Sequence, residues 1–253
     1  MNNIALITGA TSGFGKAIAE IFALNGWNLI ITGRRNDRLI EIQTSLQVQF
    51  KIDVNTSCFD VRNNEEVKQN LEILPAEWKQ IDVLVNNAGL ALGREPFHEG
   101  RTDQWDQMID TNVKGLMYVT RVVSPWMIAR KHGTIINIGS IAGKEAYPGG
   151  NVYSASKFAV DALTKNMRID FLPHNIRVTQ ISPGAAETEF GIVRFEGDET
   201  KAKSVYHGFT PLVAQDIAEA AWFIASRPAH VCINDLVIMA TAQANATMLH
   251  RGS

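Results

Sequence analysis

Short apolar runs alternate with longer stretches of helical spacing along the whole chain, and that alternation leaves few folds open. Ile4-Ala5-Leu6-Ile7 is the first run. Residues 15–25 follow, with Ala17, Ile18, Ile21, Phe22 and Leu24 at the spacing of an apolar helix face. Residues 28–32, then a helix from about Asp37 with Leu39, Ile42, Leu46 and Phe50 on one side, repeat the pair. Residues 56–60 precede a helix over 65–74 that Pro75 closes. Further strands are expected at 81–85, 134–138, 177–181 and 236–238, with helices over 103–130, 151–172 and 214–226 between them.

Strands separated by helices of ten or more residues build βαβ units, because parallel neighbours need a long crossover. The expectation is an α/β fold, a doubly wound parallel sheet of about seven strands with helices on both faces, filling residues 1–253 as one domain. With 253 residues, 45% of them hydrophobic, the chain can bury one large core. Periodicity fades only over 185–212, which reads as a substrate loop.

Composition removes several functions. Lys and Arg number 24 against 26 Asp and Glu, a net charge of -2, which is no surface for a nucleic acid. Cys58 and Cys232 stand outside any C-x-x-C pair and read as buried thiols of a reducing cytosol. No two of the six histidines stand four apart, so no metal site is expected. MNNIALITGA lacks the basic segment and cleavage site of a secretory leader. No apolar run reaches the ~18 residues of a membrane span. A cytoplasmic protein with a small-molecule partner, and neither nucleic acid nor membrane, is the expectation.

Thr8-Gly9-Ala10-Thr11-Ser12-Gly13-Phe14-Gly15 joins the first strand to the first helix. Glycines there let the backbone turn tightly and approach a pyrophosphate held at the helix N-terminus. The G-x3-G-x-G spacing is also compatible with a plain strand–helix turn. Ala10 to Lys16 nearly spells a P-loop, but Ala10 replaces its first glycine and Ala17 its hydroxyl, so an NTPase is set aside. At the tip of the second strand, where an NAD-binding fold would carry a carboxylate, stand Gly33, Arg34 and Arg35. Two guanidiniums match a 2′-phosphate and favour NADP, unless both are solvated or cap the next helix.

Tyr153 and Lys157 stand four apart at the start of a helix and share one face. A phenol with an ordinary pKa of ~10 needs a neighbouring cation to act as a base near neutrality, and Lys157 with a bound nicotinamide would supply two. Ser140, ending the fifth strand, could hold a substrate oxygen while Tyr153 moves the proton. Ser154 to Lys157 also match S-x-x-K, without the companion motifs of a β-lactamase.

Taken together, Thr8–Gly15, Asp60-Val61, Asn86–Gly89, Asn112, Gly139-Ser140, Tyr153–Lys157 and Pro183-Gly184 with Thr188 resemble the short-chain dehydrogenase/reductase family along essentially the whole chain. The resemblance implies a Rossmann fold and a catalytic tetrad of Asn112, Ser140, Tyr153 and Lys157. Tyr153 would be the acid/base, Ser140 the group that orients the substrate oxygen, and Lys157 the residue that tunes Tyr153 and holds the nicotinamide ribose. Asn112 would kink its helix and hold a relay water. The implied cofactor contacts are Gly9, Thr11, Ser12, Gly13, Phe14, Gly15, Arg34, Arg35, Asp60, Val61, Asn87, Ala88, Gly89, Tyr153, Lys157, Pro183, Gly184 and Thr188.

Further stretches, Thr32–Arg35, Asn86–Gly93, Gly149–Tyr153, Thr188–Phe190 and Val193–Asp198, are similar to NADP-dependent 3-hydroxy acid dehydrogenases of the serine and allo-threonine type. That resemblance implies oxidation of the 3-hydroxyl of a small acid such as serine, allo-threonine, 3-hydroxybutyrate or 3-hydroxypropionate. The reverse is reduction of a 3-oxo acid such as malonic semialdehyde. A broad carbonyl or 3-oxoacyl reductase is the alternative, and a non-catalytic NADP-binding protein a more distant one. The substrate contacts would be Ser140, Tyr153 and, for the carboxylate, Arg194, with Arg94 and Lys144 as weaker options. Pro183 to Thr188 is one residue shorter than in close relatives. The family also implies a homotetramer packed through the helices near 103–130 and 151–172, although Leu116, Val119, Val122, Phe158, Val160 and Leu163 would serve a monomer core as well.

Overall fold

In the computed structural model, which describes residues 2–252, the apolar runs become β1 (Ile4–Ile7), β2 (Asn28–Gly33), β3 (Val54–Cys58), β4 (Val83–Asn86), β5 (Gly133–Ile138), β6 (Ile176–Pro183) and β7 (Asp235–Ile238). Met1 and Ser253, the ends of the expected domain, lie outside the described residues. The helices are α1 (Gly13–Leu24), α2 (Asn36–Phe50), α3 (Asn64–Glu72), α4 (Thr102–Ile109), α5 (Leu116–Arg130), α6 (Asn151–Asp170), α7 (Glu189–Arg194), α8 (Glu199–Ser204) and α9 (Ala214–Ala225).

Side chains alternate across a strand, and here both faces are apolar. Ala5, Ile7, Leu29, Ile31, Val83 and Val85 meet α1, α2 and α9. Ile4, Leu6, Ile30 and Leu84 meet a second layer holding Val67 and Leu71 of α3, Val119 and Val123 of α5 and Met167 of α6. Among the described residues the seven strands are all parallel, in the order β3-β2-β1-β4-β5-β6-β7. The order reverses direction between β1 and β4, which opens a crevice at their carboxyl ends.

One row of the sheet is polar. Asn86, Asn137, Gln180 and Asp235 are register partners on four successive strands. Asn86 Nδ2 donates to Asn137 Oδ1 and to Thr120 Oγ1 of α5, each at 2.9 Å. Asn137 Nδ2 donates to Thr164 Oγ1 of α6 at 2.9 Å. Buried amides in an apolar layer demand partners at fixed positions, so the row sets where α5 and α6 sit along the sheet.

Four expectations change. The third strand lies two residues earlier than 56–60, leaving Phe59 and Asp60 in the turn beyond it. The single helix expected over 103–130 is α4 and α5 joined by a π turn, Asp110–Gly115. Gly115 closes that turn against Val61, where a Cβ would stand 2.7 Å from Val61 Cγ2. The loop over 185–212 contains α7 and α8. Cys58 and Cys232 are exposed rather than buried, Cys58 because β3 is the edge strand. Of the apolar residues named for α5 and α6, Leu116, Val119 and Val160 belong to the core, whereas Phe158 is exposed. Among the described residues, no helix is long and apolar enough to cross a membrane. Nor could any group of three or more His, Cys, Asp or Glu among them hold a metal ion.

Candidate active site

A cleft of about 570 Å³ lies at the carboxyl ends of the strands, and most of the expected residues line it. Gly9, Thr11, Ser12, Gly13 and Phe14 form its floor, Arg34, Arg35, Asp60 and Val61 one end, and Asn87, Ala88 and Gly89 the middle. Ser140, Tyr153, Lys157, Pro183, Gly184 and Arg194 form the other end, and Thr188 stands over Gly13 of the floor. Gly15 and Asn112 stand behind the wall.

The glycine turn fits a pyrophosphate. Ser12 precedes α1 in extended conformation without a side-chain cap, and no acidic residue occupies the first turn. The first amides and the positive end of the helix dipole therefore face the cleft. Gly9 adopts φ +66°, and a Cβ there would stand 2.9 Å from Ala88 Cα. Asn87 Nδ2 donates to the carbonyls of Thr8 (2.8 Å) and Gly9 (3.2 Å), so this side chain bolts β4 to the turn. Gly15 has no room for a side chain beside that same amide.

The far end gathers more charge than the sequence reading named. Arg35 donates from Nη2 (2.9 Å) and Nε (3.3 Å) to Thr11 Oγ1 and meets Glu189 Oε2 at 3.3 Å. Arg38, one turn into α2, lies 3.9 Å from the other oxygen of Glu189, behind the residues that line the cleft. Its signal was the three-residue spacing from Arg35 on a helix face. Asp60 is not a free carboxylate: burial opposes its charge, but Arg62 at 2.6 Å and Arg34 at 3.8 Å hold it below the usual range. Arg34 and Arg35 line this end and suit a phosphate, which would compete for them with Asp60 and Glu189.

At the other end, Lys157 Nζ donates to the carbonyl of Ile138 at 2.9 Å and lies 5.9 Å from the Tyr153 ring centre. Burial pushes Lys157 down to about 8. Burial pushes Tyr153 up to about 12, against the pull of the Ser140 hydroxyl and of Arg194. The sequence argument expected a lowered phenol. That lowering needs a bound nicotinamide as well as Lys157; among the protein's own groups burial outweighs the rest, and the Lys157 ammonium is given to a backbone carbonyl. Asn112 sits in the π turn with its side chain fully engaged. Oδ1 accepts from Leu90 N (2.8 Å), and Nδ2 donates to Leu90 O (2.8 Å) and Ser156 Oγ (3.0 Å). Ser156, buried and missed as a site residue, passes the contact to the Tyr153 carbonyl at 2.7 Å.

Above them lies α7. Phe190 packs on Tyr153 with ring centres 5.8 Å apart. Arg194 lies 5.7 Å from the Tyr153 ring centre and donates to Tyr147 Oη at 3.0 Å and to the Gly93 carbonyl at 3.3 Å. Arg94 also lines the cleft. Lys144 does not; its ammonium is bound to Asp161 and Asp235.

Residues 3–198 match the family described as short chain dehydrogenase. The NADP-dependent 3-hydroxy acid dehydrogenase YdfG of Salmonella typhi is 48% identical over 250 residues, covering 98% of this chain and 99% of that protein. Sulfoacetaldehyde reductase 2 of Chromohalobacter salexigens is 46% identical over 245 residues, 96% of each chain. The solved closed form of serine dehydrogenase complexed with NADP+ superposes with a TM-score of 0.92 at 47% identity, covering 98% of this chain and 99% of that one.

The depressed Lys157 makes a stability prediction. Between pH 8 and its ordinary value of 10.5 the unfolded chain binds the extra proton, so stability climbs with pH across that window. Below pH 8 the burial penalty is fully present. Lys157→Met is expected to flatten the climb and to raise stability at pH 7 by on the order of 2 kcal/mol. Urea midpoints at pH 7 and pH 10 test it, and identical pH dependence in both proteins would reject the assignment.

Proposed function

The chain belongs to the short chain dehydrogenase family, and from that premise we propose that it is an NADP-dependent oxidoreductase of small 3-hydroxy acids. It oxidises the 3-hydroxyl of substrates such as serine and allo-threonine, or reduces 3-oxo acids in reverse. The observation that carries this reading is the buried Tyr153, placed among Ser140, Lys157 and Arg194 in one cleft. The kinship with proteins described as acting on 3-hydroxy acids and serine supports the same substrate class.

When bound, NADP⁺ supplies the acceptor for a hydride. Ser12 and the glycine turn would hold its pyrophosphate, and Arg34 and Arg35 its 2′-phosphate. Lys157 would hold the ribose. In oxidation the Ser140 hydroxyl holds the substrate oxygen and the Tyr153 phenolate, which a bound nicotinamide's charge would favour against burial, takes the hydroxyl proton; in reduction Tyr153 returns it. Arg194 presents a cation beside Tyr153, which suits the substrate carboxylate. Phe190, packed on the Tyr153 ring, would shield the reacting atoms from water. Asn112 acts through the π turn, holding the Leu90 backbone and Ser156.

A panel of L-serine, 3-hydroxybutyrate, sulfoacetaldehyde and an uncharged alcohol or ketone, followed at the NADPH absorbance, tests the reading. The hydroxy acids are expected to be preferred at least tenfold in kcat/KM, and Arg194→Ala to erase that preference, since an ion pair of ~1.5–3 kcal/mol is lost. Tyr153→Phe should abolish turnover. Equal rates on the uncharged ketone would favour the broad carbonyl reductase. Arg34→Ala should weaken NADP binding without affecting NAD, and an unchanged preference would remove the phosphate argument. A cytoplasmic homotetramer completes the proposal. Exposed Met117, Phe158, Ile169 and Leu172 on and just beyond α5 and α6 support self-association, and sedimentation as a monomer would overturn it.

A further inference from the structure

Ser140 and Tyr153 reach the cleft from different elements. Ser140 begins the short turn Ile141–Gly143 that follows β5, whereas Tyr153 and Lys157 ride on α6. A proton passes between bound substrate and Tyr153 only while turn and helix keep their separation, and a 1 Å misplacement costs about a hundredfold in rate. The Lys157 hydrogen bond to Ile138 ties the end of β5 to the helix, and two further contacts hold the turn itself. Gly143 lies so close to α6 that a Cβ would stand 2.5 Å from the Lys157 carbonyl oxygen. The next residue, Lys144, bonds Asp161 on α6 and Asp235 on β7.

Asp161 follows Tyr153 and Lys157 at four-residue steps, so all three share one stripe of the helix. The Lys144 side chain is 20% exposed and that of Asp161 14%, which shields their pairing from solvent better than an ordinary surface pair. The surroundings are complete. Lys165 donates to Asp161 Oδ2 at 2.6 Å, Gln180 of β6 donates to Asp161 Oδ1 at 3.4 Å, and Ser182 of β6 donates to Asp235 Oδ1 at 3.4 Å. Lys144 therefore has no spare role in the cleft, and its charge is directed at the joint between turn and helix.

We propose that Lys144 is a positioning residue, tying the Ser140 turn through Asp161 to the helix face that carries Tyr153 and Lys157, and so setting the Ser140–Tyr153 separation. This rests on the reading of Tyr153 as the acid/base. The Ser140 hydroxyl lowers the Tyr153 pKa against burial, so loosening the joint shifts that pKa upward. The other groups facing Tyr153 are Lys157 on its own helix, Tyr147 from the preceding loop and Arg194 from α7.

The experiment compares Lys144→Met, Lys144→Arg, Asp161→Asn and Asp235→Asn in the intact enzyme with NADP⁺ and L-serine, reading kcat, KM and the pH profile of oxidation. Lys144→Met and Asp161→Asn are expected to lower kcat about tenfold and to move the rising limb about one unit to higher pH, with KM for NADP⁺ unchanged. Lys144→Arg should restore most of kcat. Asp235→Asn leaves the bond to Asp161 and should stay within twofold of the native enzyme. Unchanged kcat and pH profile in Lys144→Met, even with a lowered melting temperature, overturns the proposal, as does an equal loss in Asp235→Asn. Should Lys144→Met fail to fold, Asp161→Asn reads the same joint with Lys144 still paired to Asp235. Tyr153→Phe separates the two levels. Full turnover there defeats the acid/base reading, whereas its loss together with a native-like Lys144→Met defeats only the role of Lys144.

Discussion

A primary amine with a single backbone acceptor, buried in the wall of the cleft, is the constraint around which the active end of this molecule is organised. Lys157 gives its hydrogen bond to Ile138, at the last position of β5, and its charge has little else to lean on. Water would solvate it better, so the fold must hold it in place by other means. The helix bearing it is long, is registered by side chains on the sheet, and is approached by a turn with no side chain at the point of contact. The uncomfortable ammonium and the equally buried phenol next to it are the two groups that a bound cationic ring and ribose would relieve.

The polar row across β4 to β7 explains how such discomfort is tolerated. Apolar packing alone allows helices to slide along a sheet at little expense, because one methyl group replaces another. An amide that must find a hydroxyl does not slide. Asn137 reaches Thr164 of α6, Asn86 reaches Thr120 of α5, and Gln180 reaches Asp161. Each of these contacts lies within two or three turns of a residue that faces the cleft, so register is set close to where it is used.

Much of this was legible in the sequence. The strands and helices declared themselves because buried parallel strands are continuous apolar runs and their covering helices keep a 3.6-residue period. The cleft residues were legible through motif and resemblance, and they converge because strand ends at the reversal of the sheet order converge. The π turn was legible only through the resemblance, which implied a kink at Asn112: Asp110 to Gly115 sits inside one long helix-like stretch, and an extra residue in a single turn leaves no compositional trace. Helices α7 and α8 were missed because six residues give too short a period to recognise. How much Lys157 offsets the burial of Tyr153 was not legible, because sequence shows which charges are near but not which hydrogen bonds they are already making. Ser156 and Arg38 were hidden for a related reason, since their roles exist only once two distant segments meet.

The two tightly placed glycines differ in one respect that bears on how such a sequence can drift. Gly115 is confined by the side chain of Val61, and Gly143 by the main chain of Lys157. A Cβ at 115 would meet Val61 at Cγ2 (2.7 Å) and at Cβ (3.0 Å), so glycine at 61 would make room and the pair would have to change together. At 143 no second substitution helps, because every amino acid brings the same carbonyl to that spot. One position is negotiable with a neighbour, and the other is closed to evolution and to the protein engineer alike.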